Sequence, residues 1–191
     1  MKIEGSHFIL ASQSPRRKQL LQWAEIPFEV VVSDADESYP ADLRPDGIAV
    51  HIARNKAFAV QNMLGGGNET IIAADTIVVL NDEVIGKPKD REDAISILQR
   101  LNGQKHTVTT GVVLLSNKKE TAFADTTEVE FHKLTNEQLA WYVDKYKPYD
   151  KAGAYAIQEW IGVVGIKSIN GDFYNVMGLP VSRVVQELEK F

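Results

Sequence analysis

Apolar and polar positions along this chain follow two rhythms, one of about two residues and one of about 3.6. His7 to Ala11 is a short apolar run that predicts a strand. Pro15 to Ala24 has helical spacing, with Leu20, Leu21 and Ala24 inward. Phe28 to Val32 predicts a second strand, and Asp34 to Arg44 an acidic loop. Pro45 opens a long helix that stops at Gly65-Gly66-Gly67, a strong breaker. Ile71 to Leu80 is apolar apart from Asp75 and Thr76, as in a central strand buried on both faces. Asn81-Asp82 turns it into Glu83-Val84-Ile85, and Asp90 to Leu101 is a helix ended by Gly103. His106 to Ser116 and Glu120 to Phe131 read as a long hairpin around Asn117-Lys118-Lys119. Thr135 caps a helix to about Lys145, Ile161 to Ile169 predicts another strand, and Asn170-Gly171-Asp172 turns. Pro180 begins a last helix with Val181, Val184, Val185 and Leu188 inward. Helices interleaved with strands, plus one hairpin, imply an α/β fold with a mixed sheet.

Composition narrows the function classes. The 191 residues suffice for one domain with a sizeable core or two small lobes. Cysteine is absent, so disulfide and thiol chemistry are excluded. The formal net charge of -5 argues against a nucleic-acid polymer as the main partner, while a few local cations still suit a small anionic ligand. No apolar run reaches the length of a membrane span and no signal peptide is evident, so a cytoplasmic location is expected.

The chemistry concentrates first at Ser12-Gln13-Ser14-Pro15-Arg16-Arg17. Ser14 is a good N-cap and Pro15 suits the first helical turn. Helix-terminal N–H groups, serine hydroxyls and two guanidinium groups then converge on a volume that wants an anion, phosphate above all. Asp75 is the next anomaly, because an ionised carboxylate in a buried strand is costly unless it meets a cation, a metal or backbone N–H groups. Lys56 lies near the middle of a helical face made by Ile48, Ile52, Ala57, Val60, Met63 and Leu64, with Arg54 outside it. It reads either as a lysine snorkelling at a rim or as one aimed at a bound phosphate. Gly86-Lys87-Pro88 reads as a surface turn or as a further cation. Asp34, Asp36 and Glu37 read as a solvated loop or as oxygen ligands for a hard divalent ion. In the Gly/Ala-rich segment from Asp150 to Gln158, the Gln158 amide has the donor and acceptor that read a base edge, though the stretch alone suits a tight connector. His106 reads as packed or at a rim, and the four histidines lack metal-ligand spacing. GxGxxG, Walker A and nucleophile-elbow motifs are missing.

Taken together, Leu10-Ala11-Ser12-Gln13-Ser14-Pro15-Arg16-Arg17, Ala73-Ala74-Asp75-Thr76, Gly86-Lys87-Pro88, Thr109-Thr110-Gly111-Val112, Asp150 to Gln158 and Gly178-Leu179-Pro180 resemble the Maf family of nucleotide pyrophosphatases, over residues 1–191 as a single domain. The resemblance implies metal-dependent hydrolysis of a nucleoside triphosphate between the α and β phosphates. It implies an elongated twisted mixed sheet flanked by helices, with two lobes and a central cleft. By the same resemblance Asp75 is the proton acceptor and Glu37 an acidic position near the metal, so Mg²⁺ or Mn²⁺ is expected on Glu37 and Asp75. Ser12, Arg16, Arg17, Lys56 and Lys87 contact phosphate, and a homodimer is compatible. Arg16, Thr76 and Gln158 match the subgroup acting on dTTP and UTP, whereas the 7-methyl-GTP subgroup carries Trp, Gln and Glu there. The chemistry agrees, since a cationic methylated purine favours a carboxylate and a neutral pyrimidine edge suits an amide. The competing readings are a 7-methyl-GTP pyrophosphatase, a non-catalytic nucleotide-binding regulator of septum formation, and a nucleic-acid-binding module resting only on Lys118-Lys119 and the twin arginines.

Overall fold

A computed structural model describes residues 7–191. Residues 1–6, part of the stretch on which the expectation of no signal peptide rests, lie outside them. The strands are β1 (Phe8–Leu10), β2 (Phe28–Val30), β3 (Thr70–Leu80), β4 (Glu83–Ile85), β5 (Lys105–Leu115), β6 (Glu120–Phe131) and β7 (Ile166–Asn170). The helices are α1 (Pro15–Trp23), α2 (Pro45–Leu64), α3 (Arg91–Leu101), α4 (Asn136–Tyr146), α5 (Trp160–Gly165), α6 (Phe173–Met177) and α7 (Val181–Lys190), with a 3-10 turn at Ala152–Ala154. The described strands form one seven-stranded mixed sheet in the order β2-β1-β3-β5-β6-β7, with β4 paired to β3.

The chain divides into two compact units. The first comprises residues 7–76, Thr110–Asp125 and Gly178–Phe191. There β1 lies parallel to both β2 and β3, with Leu10 opposite Val30 and Ile72. In the cluster under α2, Ile9, Ala11, Ile71, Ala73, Val113 and Leu115 pack with Ala53, Ala57 and Val60 of that helix. The intervening positions Phe8, Leu10, Ile72 and Ala74 are buried too, so the strands are covered on both faces as their apolar runs predict. The inner face of α2 ends earlier than its periodicity suggests, because Met63 and Leu64 are exposed in the last turn before the left-handed Gly65 cap. Gly111 of β5 touches the backbone of α2: a Cβ there would lie 2.3 Å from Ala49 C and Val50 N.

The second unit comprises Ile77–Thr109 and Thr126–Met177. Asn81 and Asp82, both at positive φ, turn β3 into β4, and Thr135 caps α4 through a complete capping box with Gln138. The predicted strand Ile161 to Ile169 is corrected at its first half, where residues 160–165 are helical and only Ile166–Asn170 pair with β6. β-branched composition suggests a strand, but packing decides otherwise. Gly162 sits so close to Ile157 that a Cβ would fall 1.7 Å from its carbonyl oxygen, an approach made by the turn closing onto Glu159. Val163, the apparent strand residue, is 81% exposed.

His106 is packed rather than at a rim. It is 3% exposed, stacks on Phe131 and meets the Tyr155 hydroxyl through Nε2 at 2.7 Å. Burial pushes its pKa down to about 4.

Two predictions follow from this packing. Gly111→Ala forces a methyl into backbone with no room to give, so it should cost about 2 kcal/mol and lower the thermal midpoint by about 4–8 °C. For His106, the unfolded chain takes up a proton near 6.5 while the folded one waits until about 4. Its contribution is therefore complete above about 6.5 and is lost as pH falls toward 4, roughly 3 kcal/mol in all. Denaturant unfolding across that window should show a fall that a His106→Gln variant lacks.

Candidate active site

The sequence-predicted residues of the first unit gather around the middle of β3. Successive strand side chains point to opposite faces. Asp75 therefore shares the face of Ile71 and Ala73, where α2 packs, and Thr76 shares that of Ile72 and Ala74. On the α2 face, the Lys56 ammonium donates to Asp75 Oδ1 at 2.7 Å and lies 2.7 Å from Glu37 Oε1. The Lys56 and Asp75 side chains are 17% and 15% exposed. The cation is thus the partner that a carboxylate in an apolar strand needs.

Glu37 comes from the acidic loop, but its neighbours serve the loop itself. Asp36 accepts from the Ser38 amide at 2.8 Å and its hydroxyl at 2.6 Å, which hold its carboxyl below the usual range. Asn55 donates to the Asp36 carbonyl at 3.1 Å, tying the loop to α2 beside Lys56. Arg54 leaves this face, as its helical phase predicts, and pairs with Glu120.

On the other face, Arg17 binds three segments with one guanidinium. Its Nε donates to the Gly178 carbonyl at 2.7 Å, one terminal nitrogen to Ser12 Oγ at 3.1 Å, and the other to Thr76 Oγ1 at 3.0 Å. Thr76 Oγ1 is also 2.9 Å from the hydroxyl of Thr110. These partners are neutral, and Arg17 is buried. Burial pushes the guanidinium below its ordinary value; the Asp75 carboxylate opposes that shift, Arg16 adds to it, and Glu37 opposes it. Ser14 caps α1 as its sequence predicts, accepting from the Arg17 amide, while the Ser14 amide donates to Ser12 Oγ. Arg16 is half-buried on the first turn of α1.

Lys87 and Gln158 belong to the second unit. Lys87 is exposed just after β4, where the neighbouring Gly86 carbonyl accepts from the Gly153 amide. Gln158 is exposed in the turn before α5. The small residues of its segment serve packing: Gly153, at φ 72°, lets Val78 approach to 3.0 Å of where a Cβ would stand.

Among the described residues, no group of three or more His, Cys, Asp or Glu side chains is placed to hold a metal. Glu37 and Asp75, held on one ammonium, fit a different pattern. A magnesium-type site often draws one or two carboxylates from the protein and completes its shell with water and substrate phosphate. Thr110 and Gly178 are the network members to which sequence reasoning gave no role. Their sequence signal was their place in the segments Thr109-Thr110-Gly111-Val112 and Gly178-Leu179-Pro180; in the structure Thr110 is fully buried and Gly178 has φ 119°.

The family model described as Maf-like protein matches residues 7–191. A dTTP/UTP pyrophosphatase of Bacteroides thetaiotaomicron is 49% identical, covering 98% of this chain and 97% of its own. One from Parabacteroides distasonis is 50% identical, over 96% and 95%. Among solved structures, the Ham1 protein of Staphylococcus aureus has a TM-score of 0.55 at 16% identity, over 97% of this chain and 98% of that one. A HAM1 protein from Coxiella burnetii gives 0.54 at 14%, over 97% and 100%. These two likenesses show the α/β fold alone. With a family model spanning residues 7–191 and near-half identity to full-length relatives, the chain belongs to the Maf family.

Proposed function

We propose that this protein hydrolyses dTTP and UTP to the nucleoside monophosphate and pyrophosphate. The observation that carries the reading is the pair of carboxylates, Asp75 and Glu37, gathered on Lys56 in a chain about half identical to dTTP/UTP pyrophosphatases. Ser12, Arg16 and Arg17 bind phosphate oxygens at the start of α1. A guanidinium carries five N–H groups, and Arg17 directs three of them to Gly178, Ser12 and Thr76, which leaves donors for phosphate oxygens. Lys56 neutralises charge on the triphosphate, and Lys87 adds a phosphate contact. Asp75 Oδ1 is fixed by Lys56, so Oδ2 is the atom that takes the proton of the attacking water. Water adds to the α-phosphorus, the bond to the bridging oxygen breaks, and pyrophosphate leaves. A bound Mg²⁺ or Mn²⁺, held by Glu37 and Asp75 with substrate oxygens, would supply charge neutralisation and Lewis-acid polarisation.

Base selection rests on Arg16, Thr76 and Gln158. The amide of Gln158 suits an uncharged pyrimidine edge, and for the same reason it is a poor partner for the cationic base of 7-methyl-GTP. A regulator that only binds nucleotide would have no use for two carboxylates beside its cations. No described helix is long and apolar enough to cross a membrane, and a cytoplasmic setting belongs to the proposal.

Pyrophosphate release should be fastest from dTTP and UTP, should stop on adding chelator, and should return with Mg²⁺ or Mn²⁺. A preference for 7-methyl-GTP, or turnover indifferent to chelator, would refute the reading. Asp75→Asn should lower kcat by about 10²–10⁴-fold while nucleotide still binds, as equilibrium dialysis would show. Wild-type kcat in that variant would remove Asp75 from the mechanism.

A further inference from the structure

Asp75 and Glu37 have a cation of the chain's own. The Lys56 ammonium touches both, at 2.7 Å from Asp75 Oδ1 and 2.7 Å from Glu37 Oε1. Asp75 stands on the fixed frame of β3, whereas Glu37 belongs to the stretch without regular structure between β2 and α2. Two adjacent residues of α2 fasten two adjacent residues of that stretch. Asn55 donates to the Asp36 carbonyl at 3.1 Å, and Lys56 pairs with Glu37. One helix thus gathers a mobile carboxylate and a fixed one around a single ammonium. The Lys56 and Asp75 side chains are largely withdrawn from solvent, so their charges are only weakly screened.

A charge count gives this arrangement a consequence. One ammonium against two carboxylates leaves a single negative charge in the trio. A dication joining it alone would turn the cluster net positive in a place mostly shielded from water, which is costly. Choosing the other oxygen of either carboxylate would not evade the ammonium. Both oxygens sit on one carbon, so the two cations would stay within the screening length of about 8 Å. The Arg17 guanidinium also feels both carboxylates, which raises the positive potential further. A triphosphate reverses the balance. Its anionic oxygens accept charge-assisted hydrogen bonds from an ammonium and ligate a hard dication at the same time.

We propose that Lys56 is an internal counter-cation that keeps divalent metal off the nucleotide-free enzyme, so that metal and triphosphate are taken up together. The inference rests on the role proposed for Asp75 and Glu37 as metal ligands. Lys56 preassembles those ligands and, by the same contact, withholds them from a lone ion. The species the site accepts is therefore the metal–nucleotide complex.

The test titrates Mn²⁺ into the full chain and reads protein-bound ion by water-proton relaxation. A UTP analogue with a methylene group between the α and β phosphorus atoms serves as the uncleaved nucleotide. The wild type should bind Mn²⁺ at least about tenfold more tightly with the analogue than without it. Lys56→Met keeps a stem of similar length and removes the charge. It should tighten nucleotide-free Mn²⁺ binding about tenfold, and Mn²⁺ should raise its thermal midpoint more than that of the wild type. Lys56→Arg keeps a cation and should bind the lone ion as weakly as the wild type. Glu37→Gln in the Lys56→Met background should cancel the gain, because one carboxylate charge has gone. A lysine that only anchored the loop would give the opposite result, with Mn²⁺ binding weakened in Lys56→Met. Should Lys56→Met fail to fold, Lys56→Gln keeps an N–H donor for the carboxylates and carries the same expectation. A wild type that binds Mn²⁺ equally well with and without the analogue, or an uncharged Lys56 variant that binds it no more tightly, overturns the counter-cation alone. A wild type that binds no Mn²⁺ even with the analogue overturns the metal role of Asp75 and Glu37, and this inference with it.

Discussion

Two adjacent polar residues in a strand buried on both faces govern the chemistry of the first unit. Asp75 and Thr76 cannot share a partner, because the pleat sends them to opposite sides of the sheet. Each therefore needs its own donor from its own layer. The long helix α2 supplies Lys56 to the carboxylate, and the short helix α1 supplies Arg17 to the hydroxyl. The backbone geometry of a single dipeptide thus recruits cations from both layers. Without those cations the strand would bury an unpaired carboxylate, at a cost far beyond that of any one apolar contact.

The two faces handle charge differently. Around Lys56 one ammonium meets two carboxylates, so negative charge is in excess there. Arg17 is surrounded by hydroxyl and carbonyl oxygens, and its nearest carboxylate influences act at a distance. A phosphate chain has reason to seek the second environment, and a hard cation the first. Under the proposed function, this separation across one strand would give a metal-bound triphosphate two distinct environments. A protein of net charge -5 would then hold a polyanion because the sign that matters is local.

Much of this was legible in the sequence where local chemistry and tertiary need coincide. Ser14 and Pro15 announced the start of α1 because capping and a fixed φ are properties of those side chains alone. Asp75 was conspicuous because nothing nearby in sequence could compensate it. The phase of α2 put Lys56 on the buried face and Arg54 off it, and both hold. The failures occur where partners lie far along the chain. Residues 160–165 carry strand-like β-branched side chains, yet the approach of Gly162 to Ile157 makes them helical. Thr110 and Gly178 stood in motif segments but carried no individual role, because their bonds reach residues 34 and 161 positions away. Spacing rules see periods of two to four residues and are blind to such ties.

The contact of Gly111 with the backbone of α2 has a dimensional consequence. Where main chain rests on main chain, the gap between helix and sheet is fixed by covalent geometry and van der Waals radii, not by pliable side chains. Lys56 lies two turns along the same helix, so its height above β3 is inherited from that seat. A lysine stem is long and flexible, and left to itself would let the ammonium wander by several ångströms. Here one missing methyl group turns the helix into a gauge block, and the tolerance of the charge cluster is set by the smallest side chain in the protein.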